Sequence, residues 1–215
     1  MEIELQYLFH GDEPLVVPAE LAGFALDASA VFDIRDAFHD TPGLHLRRAG
    51  CSLRIRRQSN RPAPVLTWKG PSVRRPDGAR EREEIEHPLD HIPGDWREMR
   101  ATLKAAGLLK RVNAIIGDER LALIGELENR RSTHDYVQGL HRVELCWDRL
   151  RFPIGPTQIR LELETQSKAA ARFIGAFDRD LRDLFGDELS DVDYGKAKEL
   201  CLRLYPEIVG DRAAA

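Results

Sequence analysis

The sequence predicts an α+β domain in which antiparallel strands dominate and helices pack against them. Three observations predict it. Between Ser52 and Glu86, three runs alternate with period two: Leu53 and Ile55 against Ser52, Arg54 and Arg56; Leu66 against Thr67 and Lys69; Ile85 against Arg80, Arg82, Glu84 and Glu86. Turn-forming clusters separate such runs, among them Thr41-Pro42-Gly43 and Pro76-Asp77-Gly78. Two later segments instead show helical spacing: Trp96, Met99, Leu103 and Ala106 behind a capping Asp95, and Ala170, Phe173, Ile174, Phe177, Leu181, Leu184 and Phe185 behind a capping Ser167.

In chain order, Glu2 to Phe9 reads as a strand with Glu2, Glu4 and Gln6 on one face and Ile3, Leu5, Tyr7 and Phe9 on the other. Gly11, Asp12 and Pro14 mark a turn. Pro18 to Ala30 then predicts a short packing helix, opened by proline in its first turn. Strands follow over Val31–Asp40, Leu46–Arg57 with Gly50 at a hairpin or bulge, Val65–Lys69 and Ala79–Pro88. Asp95 to Gly107 is the first of the two capped helices. Gly117 to Val137 stays open, because Leu121, Leu123, Ile124 and Leu127 fit a helix while Glu126 to Val137 fits a strand. Arg142–Phe152 is a strand with Glu144, Cys146 and Asp148 on one face, and Ile159–Thr165 is another with Arg160, Glu162 and Glu164 on one face. A last short helix spans Tyr194–Tyr205. With no linker in the sequence, residues 1–205 are expected to form a single domain and 206–215 a tail, disordered at Ala213 to Ala215.

The chain has 215 residues, 42% hydrophobic and 32% charged, which suits a globular protein with a sizeable core. Its formal net charge of −4 argues against a protein that coats nucleic acid. It leaves room for a local basic pocket, and arginines cluster at 47, 48, 54, 56, 57 and 61. Cys51, Cys146 and Cys201 form no metal-ligand spacing and read as reduced packing residues. No basic leader with an apolar run opens the chain, and no apolar stretch nears the roughly 20 residues that span a bilayer. No membrane partner and a cytoplasmic location are therefore expected.

The charged strand faces admit two readings. On an ordinary antiparallel sheet they meet water. Alternatively they face one another. Glu-x-Glu occurs on two strands, at Glu2/Glu4 and Glu162/Glu164, and carboxylates at i and i+2 lie about 7 Å apart on one face. Two such pairs meeting across a sheet, with Asp148 nearby, could share Mg²⁺ or Mn²⁺ through oxygen-only ligation. Arg54, Arg56, Lys69 and Arg82 could neutralise a substrate with several adjacent negative charges, since guanidinium forks pair phosphate oxygens two at a time. An acidic wall opposite a basic wall is what metal-dependent attack on a polyphosphate requires. No GxxxxGK[ST] loop is present, so the usual nucleotide-hydrolase solution does not apply.

Taken together, the N-terminal Glu-x-Glu strand, Phe38-His39-Asp40-Thr41-Pro42, the Leu53-to-Arg57 run, Thr67-Trp68-Lys69-Gly70-Pro71, Arg82-Glu83-Glu84, Arg131-Ser132-Thr133-His134, the strand ending at Asp148, Glu162/Glu164 and the late Lys196 resemble the CYTH or triphosphate tunnel metalloenzyme superfamily. The resemblance runs from Glu2 to about Lys198, and it rests on the number and order of the motifs. It implies an antiparallel eight-stranded β-barrel, a triphosphate tunnel with helices packed outside, whose charged faces turn inward. It further implies metal-dependent hydrolysis of a triphosphate, inorganic or nucleoside, with Mg²⁺ or Mn²⁺ as cofactor. Class IV adenylate cyclase activity and a non-catalytic polyphosphate-binding or nucleotide-binding tunnel are the alternatives. By resemblance Glu2, Glu4, Glu84, Asp148, Glu162 and Glu164 would hold metal. Arg54, Arg56, Lys69, Arg82, Arg131 and Lys196 would grip a small triphosphate-containing molecule, and Glu2, Glu4 and Gln6 would serve catalysis. A homodimer is the assembly to test. The sequence departs from the family at Gln6, where the family has lysine, at Phe38-His39, where it has Tyr-Tyr, and at Gly195, where a serine precedes the late lysine. His39 could serve as a general base only if it reached the site; beside a turn it also suits a structural or exposed role.

Overall fold

In the computed structural model, which describes residues 1–11, 16–192 and 194–210, the chain opens with strand β1 (Glu2–Phe9), as its alternation predicts. A hairpin follows, β2 (Glu20–Leu21) and β3 (Phe24–Asp40), in place of the helix expected over Pro18–Ala30. Turn chemistry explains the difference. Ala22 and Gly23 take φ of 55° and 75°, and two successive residues with positive φ make the tight turn that matches strand twist. Leu21 and Phe24 on either side are buried. The expected strand Val31–Asp40 is thus the second half of a longer one.

The strand expected to start at Leu46 begins instead with a helical turn, α1 (His45–Arg48), and β4 runs over Ser52–Gln58. Asp40 causes this: its carboxylate accepts hydrogen bonds from the backbone N–H groups of Thr41, Leu46 and Arg47 at 2.7, 2.9 and 2.8 Å, satisfying donors that a first helical turn leaves open. Next come β5 (Val65–Arg74), β6 (Arg80–Pro88), α2 (Trp96–Ala105) and α3 (Leu109–Ile116). The Asp95 side chain caps α2 by accepting from the Glu98 N–H at 2.8 Å. The open segment Gly117–Val137 resolves as β7 (Ala122–Gln138), because it pairs along most of its length with β3 on one side and β8 (His141–Arg151) on the other. The chain continues through β9 (Gln158–Thr165), α4 (Lys168–Ala171), α5 (Ile174–Phe185), a 3-10 turn, β10 (Leu189–Asp191), α6 (Lys196–Leu204) and α7 (Pro206–Gly210). The helix expected after Ser167 is broken in two near Phe173. Asp12 and Pro14 of the expected turn, and Ala213 to Ala215 of the tail, lie outside the described residues.

Eight strands close into an antiparallel barrel in the order β1-β6-β5-β4-β3-β7-β8-β9, sealed by β1 against β9 from Ile3↔Thr165 to Phe9↔Ile159. Two helical layers cover it. α4 and α5 lie over Tyr7, Phe9, Leu145, Trp147 and Leu163 with Phe177 and Leu181, and α2 and α3 lie over Leu53, Ile55, Leu66 and Trp68 with Met99, Leu103 and Val112. Each such fully buried large apolar side chain contributes about 1.5–3 kcal/mol. α6 does something different. Its Leu200 packs with Phe38, Leu127, Leu150 and Phe152 and closes one end of the barrel. Gly125 permits the approach, since a Cβ there would lie 2.6 Å from Leu204 Cδ1. Because the apolar faces of these strands are claimed by the outer helices, period two sends the charged faces inward. Among the described residues, no helix is long and apolar enough to cross a membrane.

Candidate active site

The inward faces line a cavity of about 850 Å³ that includes Glu2, Glu4, Gln6, Arg54, Arg56, Lys69, Arg82, Glu84, Arg131, Glu162, Glu164 and Lys196. The solvated-surface reading of these strands is therefore replaced by a charged interior. Glu2, Glu4, Arg54, Arg56, Arg131, Asp148, Glu162 and Lys196 are all buried. Their charges sort into three groups.

On β3 and β4, Arg56 donates from Nε and Nη2 to the two oxygens of Asp36 at 2.7 and 2.8 Å, and Arg54 Nη1 lies 3.3 Å from Asp36 Oδ2. Burial would raise the Asp36 carboxyl, but the two guanidinium groups hold it well below the usual carboxylate range. Arg54 Nε makes no hydrogen bond to protein. Toward the end closed by α6, Arg131 donates to both oxygens of Asp148 at 2.6 Å and to Glu162 Oε2 at 2.6 Å. Lys196 lies 2.5 Å from Asp148 Oδ2 and 2.7 Å from Glu162 Oε2. Asn129 adds a 2.7 Å hydrogen bond to Asp148. Desolvation opposes ionisation of Asp148 and Glu162, yet Arg131 and Lys196 overcome it and hold both carboxyls low.

The third group gathers at the β1–β9 seam, where Glu4 stands opposite Glu164. Lys69 donates to both oxygens of Glu2 at 2.7 Å, and Arg82 bridges Glu2, at 2.9 Å, and Glu4. Burial is again the largest influence on Glu2, but Lys69 and Arg82 hold it well below the ordinary range. Glu4 and Glu164 behave oppositely. Burial pushes Glu4 up, Glu2 and Glu162 add to the push, and Arg82 only partly offsets it. Glu164 keeps 21% of its side chain exposed to the cavity but sits deep in the barrel. Desolvation raises its carboxyl well above the ordinary value, against an Arg131 nitrogen 3.6 Å away.

Oxygens of Glu2, Glu4 and Glu164 lie within 4.8 Å of one another. An all-carboxylate set with more negative charge than its neighbours neutralise fits a hard divalent cation such as Mg²⁺ or Mn²⁺. Of the six carboxylates expected to hold metal, the structure brings these three together. Asp148 and Glu162 belong to the Arg131–Lys196 group, and Glu84 lies beside Lys69 and Arg54 at 3.4 and 4.0 Å. Glu144 and Cys146 approach Glu164 equally closely. Gln6 donates from Nε2 to Glu4 Oε2 at 2.9 Å, so a neutral amide occupies the place of the family's lysine. His39 does not reach the cavity; its Nδ1 lies 3.0 Å from the Ala37 carbonyl.

Sequence reasoning missed Asp36, Asn129 and Arg160. Asp36 carried a usable signal, since it shares the parity of Phe38, two residues before the aromatic-x-Asp-Thr-Pro turn. The three cysteines are free and buried, as expected of packing residues.

No curated protein matches the chain. Among solved structures, HpAC1 of Hippeastrum, described as revealing a dominant triphosphatase activity, is similar in fold at 20% identity and a TM-score of 0.67, over 93% of this chain and 95% of that one. PH1819 of Pyrococcus horikoshii OT3 is similar at 18% identity and a TM-score of 0.54, over 94% and 98%. The family model for the CYTH domain matches residues 1–193. Together with the closed eight-stranded barrel, that match establishes that the chain belongs to the CYTH family.

Proposed function

We propose that this protein is a divalent-metal-dependent triphosphatase that hydrolyses inorganic tripolyphosphate or a nucleoside triphosphate within its barrel. The observation that carries the reading is the carboxylate set Glu2, Glu4 and Glu164, facing a cavity that Arg54, Arg56, Lys69, Arg82, Arg131 and Lys196 also line. Membership of the CYTH family and the triphosphatase activity described for HpAC1 support it. Mg²⁺ or Mn²⁺ held by the three glutamates would supply Lewis acidity to phosphate oxygens and water.

The chain's own residues do the rest. Arg54 and Arg56, both held by Asp36, present guanidinium groups from β4. Lys69 and Arg82 add charge from the neighbouring strands, and Arg131 and Lys196 from the closed end. Preorganised in a site of low dielectric, these cations stabilise charge as the terminal phosphoryl group is transferred. Asp148 and Glu162 keep Arg131 and Lys196 in place by ion pairs to both. Gln6 orients Glu4 through its amide without adding charge.

The test is phosphate release from tripolyphosphate, ATP and thiamine triphosphate with Mg²⁺ or Mn²⁺, with and without EDTA. Metal-dependent turnover of tripolyphosphate or ATP is expected. Tight tripolyphosphate binding with no turnover in either metal would instead make this a binding tunnel, a reading that the neutral Gln6 favours. Cyclic AMP formed from ATP would make it a cyclase.

A further inference from the structure

Arg160 is fully buried and has no place in the phosphate-gripping set. It sits on β9 two residues before Glu162, and its Nη1 donates to the Tyr194 carbonyl at 2.9 Å. Its guanidinium lies 5.6 Å from the centre of the Tyr194 ring, and its Nη2 lies 3.8 Å from Glu199 Oε2. Glu199 is also held by Gln158 at 3.1 Å and Arg203 at 2.7 Å. These contacts converge on the entry and first turn of α6, the element that begins with Lys196.

Burying a guanidinium is costly unless it is paired, so its partners define its role. Among the described residues, the Arg160 guanidinium hydrogen-bonds through Nη1 to the segment that leads into α6, while Nε and Nη2 make no hydrogen bond. Gly195, at the N-cap, has no side chain to cap the helix, so the entry depends on contacts made from outside α6. Lys196 Nζ must nonetheless stay within 2.7 Å of Glu162 and 2.5 Å of Asp148.

We propose that Arg160 is a positioning residue, which clamps the start of α6 to β9 through Tyr194 and Glu199 and so fixes Lys196 at the closed end of the tunnel. This rests on the triphosphatase reading for its kinetic consequence but not for its structural one. The clamp ties the floor of the site to the strand that carries Glu162 and Glu164. Release of α6 would move Lys196 away from the phosphate it neutralises.

The experiment uses the full chain in four forms: wild type, Arg160→Met, Lys196→Met and the double variant, with Glu199→Gln as a second route to the same clamp should Arg160→Met fold poorly. Hydrogen exchange of the 196–204 amides is read first. Faster exchange there in Arg160→Met or Glu199→Gln, with β1 unchanged, is expected; unchanged exchange in α6 overturns the clamp, whether or not the protein turns over any triphosphate. Steady-state hydrolysis of tripolyphosphate is read second. Displacement of a positioned group by about 1 Å can cost on the order of a hundredfold, so Arg160→Met should lose activity comparably to Lys196→Met, and the double variant should lose no more than the worse single one. Losses that multiply overturn the proposal, because Arg160 would then act independently of Lys196. Absence of turnover in the wild type refutes the triphosphatase reading and leaves the exchange measurement to decide the clamp.

Discussion

At the closed end of the tunnel, Asp148 and Glu162 share Arg131 and Lys196, two carboxylates against two cations, and both carboxyls are held low. At the β1–β9 seam, Lys69 and Arg82 both pair with Glu2, Arg82 alone reaches Glu4, and Glu164 is approached at 3.6 Å by Arg131, which is already held by Asp148 and Glu162; Glu4 and Glu164 are pushed up. Both groups lie inside the same barrel under similar burial. Burial therefore does not distinguish them; the count and reach of cations do. The balanced group behaves as a structural ion network that holds Lys196 and Arg131. In the other, burial disfavours the charged forms of Glu4 and Glu164, a penalty that a bound divalent cation would relieve.

The contrast can be broken by substitution, and the largest effect should come from the unbalanced side. Glu4→Ala, or EDTA added to the native protein, should lower phosphate release by about a hundredfold to a thousandfold; turnover that persists would remove Glu4 from the metal site. On the balanced side, Asp148→Asn leaves Lys196 with Glu162 and Arg131 with Glu162 and the more distant Glu164. Breaking a buried pair in this way costs about 3–5 kcal/mol, read as a shift in the urea midpoint at pH 7. The sign with pH follows from the lowered Asp148 carboxyl. Its contribution is complete above the ordinary carboxylate value of about 3.9 and is lost as pH falls through the depressed folded value, so the gap between wild type and Asp148→Asn should close in acid.

Gln6→Lys sharpens the comparison by supplying the missing cation beside Glu4. A charge-assisted hydrogen bond replaces a neutral one, and phosphate release should rise about tenfold; a fall in rate would mean that the neutral amide is tuned for this chain's substrate. The smallest effect expected is from Glu164→Gln. It removes a carboxylate whose folded value is raised, and such a group contributes stability below its unfolded value that is lost as pH rises through the folded one. The variant should therefore be more stable than wild type at pH 8 without added metal, and the difference should shrink toward pH 4. Thermal melts across pH check this, and Mn²⁺ titration of the same samples should show weaker binding.

Most strands were legible because their period-two pattern is strong. Glu2 to Phe9, Val65 to Lys69 and Ile159 to Thr165 appear where alternation places them. Misreadings fell where a local device overrides composition: the Ala22-Gly23 turn that converts an alanine-rich segment into a hairpin, and the Asp40 carboxylate that starts a helical turn at His45. The strand at Ala122–Gln138 could not be settled locally, since its stability comes from pairing with β3 and β8.

The sequence by itself determined which residues share a strand face and which motifs occur in which order, because side-chain alternation and turn chemistry are local properties of the chain. Only the tertiary structure decided which way those faces point and which carboxylates meet. Closure of β1 on β9 set Glu4 opposite Glu164, and α6 brought Lys196 to Asp148 and Glu162. Those contacts join residues more than 30 positions apart, and electrostatic interaction depends on distance and burial in space, which no local pattern encodes.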